Sequence, residues 1–219
     1  MKKLNMLTHN TGGLLITFCG LDGCGKSTII KMLKERLETE GNHVVLTKQP
    51  TALVRKSGMF RQYMDCEDHG AYSYRALSLF AASDRVQHSN KEILPELQRG
   101  NTVISDRYFY SCLANLRSRG YKSDEWIYEI SESIPKPDLA FFLDVPVELA
   151  VSRVRARPEE KDRYIDIQLQ HSLRKEYREI SKQNEGILIS SHGSAEDTFA
   201  EVWKYVNEKL NEKRKRFEK

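Results

Sequence analysis

The sequence predicts an α/β fold, a five-stranded parallel sheet covered by helices on both faces, and three observations carry that prediction. Five short apolar runs rich in β-branched and aromatic residues are spaced along the 219 residues. Between them lie longer stretches whose apolar positions recur at helical spacing. The runs are continuously apolar rather than alternating, as suits strands buried on both faces of a parallel sheet.

The strands take Leu14 to Cys19, His43 to Thr47, Thr102 to Ser105, Leu139 to Val145 and Gly186 to Ser190. Helical patterns fill Ser27 to Thr39, Ala71 to Arg99, Phe109 to Arg119, Val147 to Arg157, Ile165 to Gln183, and Ala195 to about Lys213. Strand and helix therefore alternate, with no internal repeat and no low-complexity linker. Sheets of this kind bind ligands beyond the carboxyl ends of their strands, so the strand tips are where chemistry is expected.

With 39% hydrophobic and 30% charged residues, the chain has the balance of one soluble globular domain with a sizeable core. Its formal charge of +4 is mildly basic; it suits an anionic small ligand and does not single out nucleic acid, which is not expected as a partner. Cys19, Cys24, Cys66 and Cys112 form no C-x-x-C pair and no metal-ligand spacing, and they read as reduced thiols of a cytoplasmic protein. Residues 1–12, polar and glycine-containing, predict a flexible leader. The apolar run LLITFC that follows is too short for a signal-peptide core or a membrane span, so neither export nor a membrane partner is expected. Residues 13–213 are read as the single domain and 214–219 as a charged tail, the solvated end of a helix because EKRKRFEK mixes acids with bases.

The segment LLITFC-GLDGCGKST places Gly20, Gly25, Lys26 and Ser27 at the spacing G-x-x-x-x-G-K-[ST], directly after a predicted strand and before a predicted helix. This is a P-loop in its proper context, and the fold class becomes a P-loop NTPase-type three-layer fold. Glycines let backbone N–H groups turn inward around a phosphate, Lys26 brings a point charge, and Ser27 offers a hydroxyl to Mg²⁺. The expected ATP-binding set is Gly20, Leu21, Asp22, Gly23, Cys24, Gly25, Lys26, Ser27 and Thr28.

A P-loop alone does not separate kinases, ATPases and GTPases. Three further stretches do. The strand TVIS ends in Asp106-Arg107-Tyr108, where a carboxylate beside the P-loop suits the Mg²⁺ shell and the arginine suits a second phosphate. The long helical stretch carries Asp84-Arg85 with His88 nearby, and Arg85 is a candidate for the acceptor. Finally RVRARPEEKDRYID, from Arg153 to Asp166, concentrates arginines between two helices, the composition of a lid that delivers positive charge while excluding water. The guanine-reading N-K-x-D pattern is missing, since Asn90-Lys91 runs into Glu92-Ile93.

From Leu14 to about Lys182 the chain resembles the thymidylate kinase family of nucleoside monophosphate kinases. The motifs ITFCGLDGCGKST, TKQP, LFAASDRVQH, VISDRYFYSCLA, PKPDLAFFLDVP and RVRARPEEKDRY follow in that family's order. The resemblance implies Asp22 near the acceptor sugar, and Ser27 and Asp106 at the metal. It puts Arg85 and Arg107 on the acceptor phosphate with Arg61 as a further candidate. Ser111, Pro50, Phe80 and Asn115 would line the acceptor pocket, and Arg153 would belong to the lid (about 153–165) over ATP. With no arginine in the P-loop, catalysis would fall to Lys26, Arg107, Arg157 and Arg163. It further implies ATP as phosphoryl donor, Mg²⁺ as cofactor, dTMP as acceptor and a homodimer. The chain departs from the family at Lys48-Gln49, where Arg-Glu is usual, and at Asn115-Leu116, where Tyr-Gln is common. The usual base-stacking aromatic position holds Ala81, with Phe80 one residue earlier, a rotation of about 100° on a helix. Those departures keep a kinase for another deoxynucleotide or a deoxynucleoside as the alternative, and a non-kinase P-loop regulator as a second.

Overall fold

The computed structural model describes residues 2–68 and 72–217, the last two of these by backbone only. Five strands form one all-parallel sheet in the order β2-β3-β1-β4-β5, where β1 is Leu14–Cys19, β2 Val44–Lys48, β3 Thr102–Asp106, β4 Leu139–Asp144 and β5 Ile187–Ser190. All six residues of β1 are buried, as its continuous apolar run requires for the central strand. The register pairs Phe18 of β1 with Asp106 of β3 and Lys48 of β2 with the same Asp106, so the carboxyl ends of three strands lie abreast.

Helix α1 (Lys26–Thr39) packs with the last helix, Ala195–Phe217, while α6 (Phe109–Ser118) packs with α9 (Ile167–Gln183). Short helices that the sequence patterns did not separate connect them: α2 (Ala52–Arg55), α3 (Gly58–Asp65) and α7 (Trp126–Ser131). α8 is Val147–Arg155, and the last helix is α10. The helix expected over Ala71 to Arg99 is corrected to three pieces: α4 (Tyr74–His88), a π turn at Ser89–Ile93, and α5 (Leu94–Gln98). Pro95 in the first turn of α5 has no N–H to donate backwards, and the wider π turn immediately before it absorbs the break. Ala71, the expected start, lies outside the described residues, as do residues 218–219 of the tail.

The flexible leader is also corrected. Leu4 and Met6 are buried in the main core. Leu7 N donates to Ile134 O at 2.9 Å and Lys136 N to Leu7 O at 2.7 Å, a one-residue parallel bridge. Leu4 N donates to the buried Asn184 Oδ1 at 2.9 Å. Two apolar side chains among polar ones suffice to anchor the segment at the amino ends of β4 and β5. Among the described residues, no helix is long and apolar enough to cross a membrane.

Candidate active site

The carboxyl ends of β1, β2 and β3 open into one cleft of about 690 Å³. Two turns of the Gly20–Gly25 loop demand glycine. Gly20 has φ +140 and an added Cβ would lie 2.5 Å from Leu143 O; Gly23 has φ +83 and its Cβ would lie 2.1 Å from Ala150 O. α1 then starts without a side-chain cap and without an acid in its first turn, so its unpaired N–H groups and positive dipole end are left to an anion. The buried Lys26 ammonium is parked on loop carbonyls, donating to Leu21 O at 2.7 Å and Gly20 O at 3.1 Å.

At the tip of β3, Arg107 takes the left-handed region at φ 67, which is uncommon for a residue with a side chain and marks a constrained functional turn. That turn sends its guanidinium back across the P-loop, where it pairs with Asp22 and donates to Tyr177 OH at 3.1 Å and Gly20 O at 3.3 Å. Tyr177 OH in turn donates to Ser111 Oγ at 3.1 Å. Burial opposes the charge on Asp22, but Arg107, Lys26 and Arg163 outweigh it and hold the carboxyl well below the usual carboxylate range. Asp106 accepts from Lys48 Nζ at 2.8 Å on one oxygen, while its other oxygen is buried with no partner. Burial works against ionisation there too, and Lys26, Lys48 and Arg107 bring its carboxyl below the ordinary value.

The lid sequence folds into the end of α8, a 3-10 turn at Pro158–Glu160 and the entry to α9. Glu160 accepts from Arg157 at 3.2 Å and from Arg163 at 3.0 Å, and Arg163 reaches over to Asp22 at 3.2 Å. One carboxylate, Asp22, thus joins the β3 arginine to the lid arginine above the P-loop. Such a cluster of half-buried charges, left open on one side, suits polyphosphate.

The remaining sequence candidates are distributed as follows. Gly20 to Gly23, Gly25 to Thr28, Pro50, Arg61, Arg85, Ser111 and Asn115 line the cleft with Asp106, Arg107, Arg157 and Arg163. Arg61 is paired with Asp65 at 2.6 Å one helical turn on. Three candidates do not face the cleft. Cys24 is fully buried in the core. Arg153 donates to Ser191 O at 3.0 Å and Gly23 O at 3.5 Å, bracing the P-loop from behind. Phe80 packs against the small apolar cluster of Val54, Leu77 and Ala81, on the side that the 100° rotation of about one residue dictates.

Several lining residues escaped sequence reading: Arg55, Phe60, Tyr74, Arg119 and Tyr177. Only Arg119 had a legible signal, since Ser111, Asn115 and Arg119 repeat at i, i+4 and i+8 on one helix face. Asp84, flagged beside Arg85, turns away from the cleft. Its two oxygens accept from Thr51 N at 2.7 Å and Thr51 Oγ1 at 2.5 Å. Next to it the buried His88 bridges Thr47 Oγ1 at 2.7 Å and Gln49 Nε2 at 3.0 Å. α4 thereby holds the β2 loop that carries Pro50.

A family model described as thymidylate kinase matches residues 18–202. A protein of Pyrococcus abyssi named probable thymidylate kinase is 35% identical over 204 residues, covering 90% of this chain and 98% of that protein. One of Thermococcus kodakarensis with the same name is 37% identical over 174 residues, covering 77% of this chain and 84% of that protein. A thymidylate kinase of Bradyrhizobium sp. is 34% identical over 208 residues, covering 90% and 91%.

Proposed function

The chain belongs to the thymidylate kinase family, and we propose that it transfers the γ-phosphoryl group of ATP to dTMP, giving ADP and dTDP in a Mg²⁺-dependent reaction. The observation that carries this reading is the convergence on one cleft of the P-loop, the Asp106-Arg107 tip of β3 and the Asp22–Arg163 contact from the lid. A simple nucleotide switch needs the first of these but not a built pocket for a second phosphate beyond it.

ATP would lie with its phosphates on the Gly20–Thr28 loop and the amino end of α1. Lys26 would leave the Leu21 carbonyl for the β- and γ-phosphates. Arg107, freed in part from Asp22, would grip the acceptor phosphate, and Arg157 and Arg163 would close from the lid onto the transferring group. The acceptor's phosphate oxygen is already ionised, so no general base is required; positioning and neutralisation carry the step. Ser27 and Asp106 would hold Mg²⁺, and the unpaired, buried oxygen of Asp106 is the donor such a hard cation takes. When bound, Mg²⁺ neutralises charge shared between the β- and γ-phosphates. A cytoplasmic location and a homodimeric state are part of the same proposal.

The test is product analysis with ATP and dTMP: formation of ADP and dTDP in equal amounts supports the reading, and ATP hydrolysis without dTDP sinks it. A kinase for another deoxynucleoside monophosphate is the runner-up, favoured by Phe80 standing off the cleft. Turnover of another monophosphate in preference to dTMP would establish it.

A further inference from the structure

The cleft gives Arg107 two kinds of partner. Its Nη2 pairs with Asp22, a P-loop carboxylate that also reaches the lid arginine Arg163, and an incoming anion can displace that partner. Its Nη1 turns the other way, donating to Tyr177 OH at 3.1 Å and to Gly20 O at 3.3 Å. With Nη1 kept on the protein, Nη2 and Nε form the edge that a phosphate takes bidentately.

Tyr177 is itself held. Its hydroxyl donates to Ser111 Oγ at 3.1 Å, and Ser111 Oγ donates to Cys19 Sγ at 3.6 Å. Every donor in this chain points the same way, from the guanidinium at the cleft to a thiol in the core, an order in which each bond polarises the next. The four residues come from four elements: Arg107 follows β3, Tyr177 sits on α9, Ser111 in the first turn of α6 and Cys19 at the end of β1. Tyr177, Ser111 and Cys19 are all buried. Burial pushes the phenol up to about 12, so Tyr177 stays neutral and orients the guanidinium without cancelling its charge, which the Asp22 carboxylate cannot do. An arginine side chain has many rotamers to lose when it grips a ligand. Here they are lost before the acceptor arrives.

Resting on the functional reading above, we infer that Tyr177 is the positioning residue for Arg107: its hydroxyl, backed by Ser111 and Cys19, holds the guanidinium in the plane that meets the acceptor phosphate once Asp22 is displaced. Tyr177 acts on the acceptor only through Arg107. Ser111 lines the cleft, but its hydroxyl hydrogen is spent on Cys19 rather than offered to a ligand.

Initial-rate kinetics with ATP and dTMP for the wild type, Tyr177→Phe, Arg107→Ala and the double variant test this, together with inhibition by thymidine, which lacks the phosphate. Expected for Tyr177→Phe is a loss of about tenfold in kcat/KM for dTMP, the size of one hydrogen bond to a charged group. The loss should be carried by the dTMP KM, with the KM for ATP and the inhibition constant of thymidine unchanged. In the Arg107→Ala background the same substitution should change nothing, because the group it aims is gone. Ser111→Ala, which removes the acceptor of the phenol, should shift the dTMP KM in the same direction by less and leave thymidine alone; it decides the matter if Tyr177→Phe does not fold. A wild type inactive on dTMP overturns the functional reading. With an active wild type, an equal weakening of dTMP and thymidine makes Tyr177 a packing residue and overturns the inference alone. So does a loss that persists at full size without Arg107, or an unchanged dTMP KM.

Discussion

Lys26 and Arg107 are the residues on which the chemistry turns, and each is now held by groups a nucleotide would displace. Lys26→Ala removes the ammonium parked on the P-loop carbonyls, and turnover should fall about a thousandfold or more, as when a preorganised charge is lost from a transferring centre. Arg107→Ala should act chiefly through the acceptor, raising the KM for dTMP more than that for ATP; equal changes in both would place Arg107 elsewhere. Asp22 adds a pH signature. Its carboxyl is depressed, so it stays ionised down through the usual carboxylate range of about 4, and wild-type kcat/KM should show no acid limb from it above about pH 5. Arg107→Ala removes the strongest opposing charge, and a new acid limb at higher pH is the expected result in a pH–rate profile. At this scale the motif residues were legible because spacing alone fixes a P-loop. Tyr177 and Phe60 were not: their place in the cleft depends on how α9 and α3 pack, which no local pattern encodes.

Helix α4 does more for the site than present Arg85. Asp84 clamps Thr51, which in turn caps α2, and His88 ties down Thr47 and Gln49, so one helix fixes the whole β2 loop at the acceptor side. Asp84→Ala leaves a backbone N–H and a hydroxyl without partners and should cost about 1–3 kcal/mol, read by thermal unfolding, with a raised dTMP KM. Burial lowers the pKa of His88 from its ordinary value, against the pull of Glu92 and Asp84. A depressed histidine contributes stability that is complete above its unfolded pKa of about 6.5 and is lost as pH falls through the window below it. The melting temperature should therefore decline from pH 7 toward pH 5, and His88→Gln should flatten that slope; an unchanged slope would exclude His88. The sequence singled out Arg85 of that stretch for the acceptor, and Arg85 lines the cleft; the bracing roles of Asp84 and His88 were not legible, because they depend on how the β2 loop folds over α4. The break in that stretch at Pro95 was readable in principle, since proline lacks the backbone donor a continuous helix needs.

Across the whole molecule the parallel sheet was the most legible feature, because five uninterrupted apolar runs have few other ways to be buried. The amino-terminal segment was the least, because its burial depends on distant partners, Ile134 for Leu7 and Asn184, 180 positions away, for Leu4. It sits at the amino ends of the strands and the cleft at their carboxyl ends, so stability and catalysis should separate when it is removed. Deleting residues 2–7 exposes the sites of Leu4 and Met6, both buried in the main core, and should cost about 3 kcal/mol at roughly 1.5 kcal/mol for each side chain. It also removes Lys3, which together with Lys136 holds the Glu185 carboxyl down to about 2. A depressed carboxylate stabilises above its unfolded pKa and loses that contribution as pH falls toward the folded value. The truncated protein keeps the Lys136 contact and should thus lose only the Lys3 part of this acid sensitivity between about pH 4.5 and 2 at low salt. Denaturant unfolding checks the first effect and acid titration the second, while kcat at a temperature where both proteins are folded should be unchanged. A truncated protein of wild-type stability would restore the reading of residues 1–12 as a loose leader; one that is stable but inactive would show that the segment reaches the cleft through the sheet.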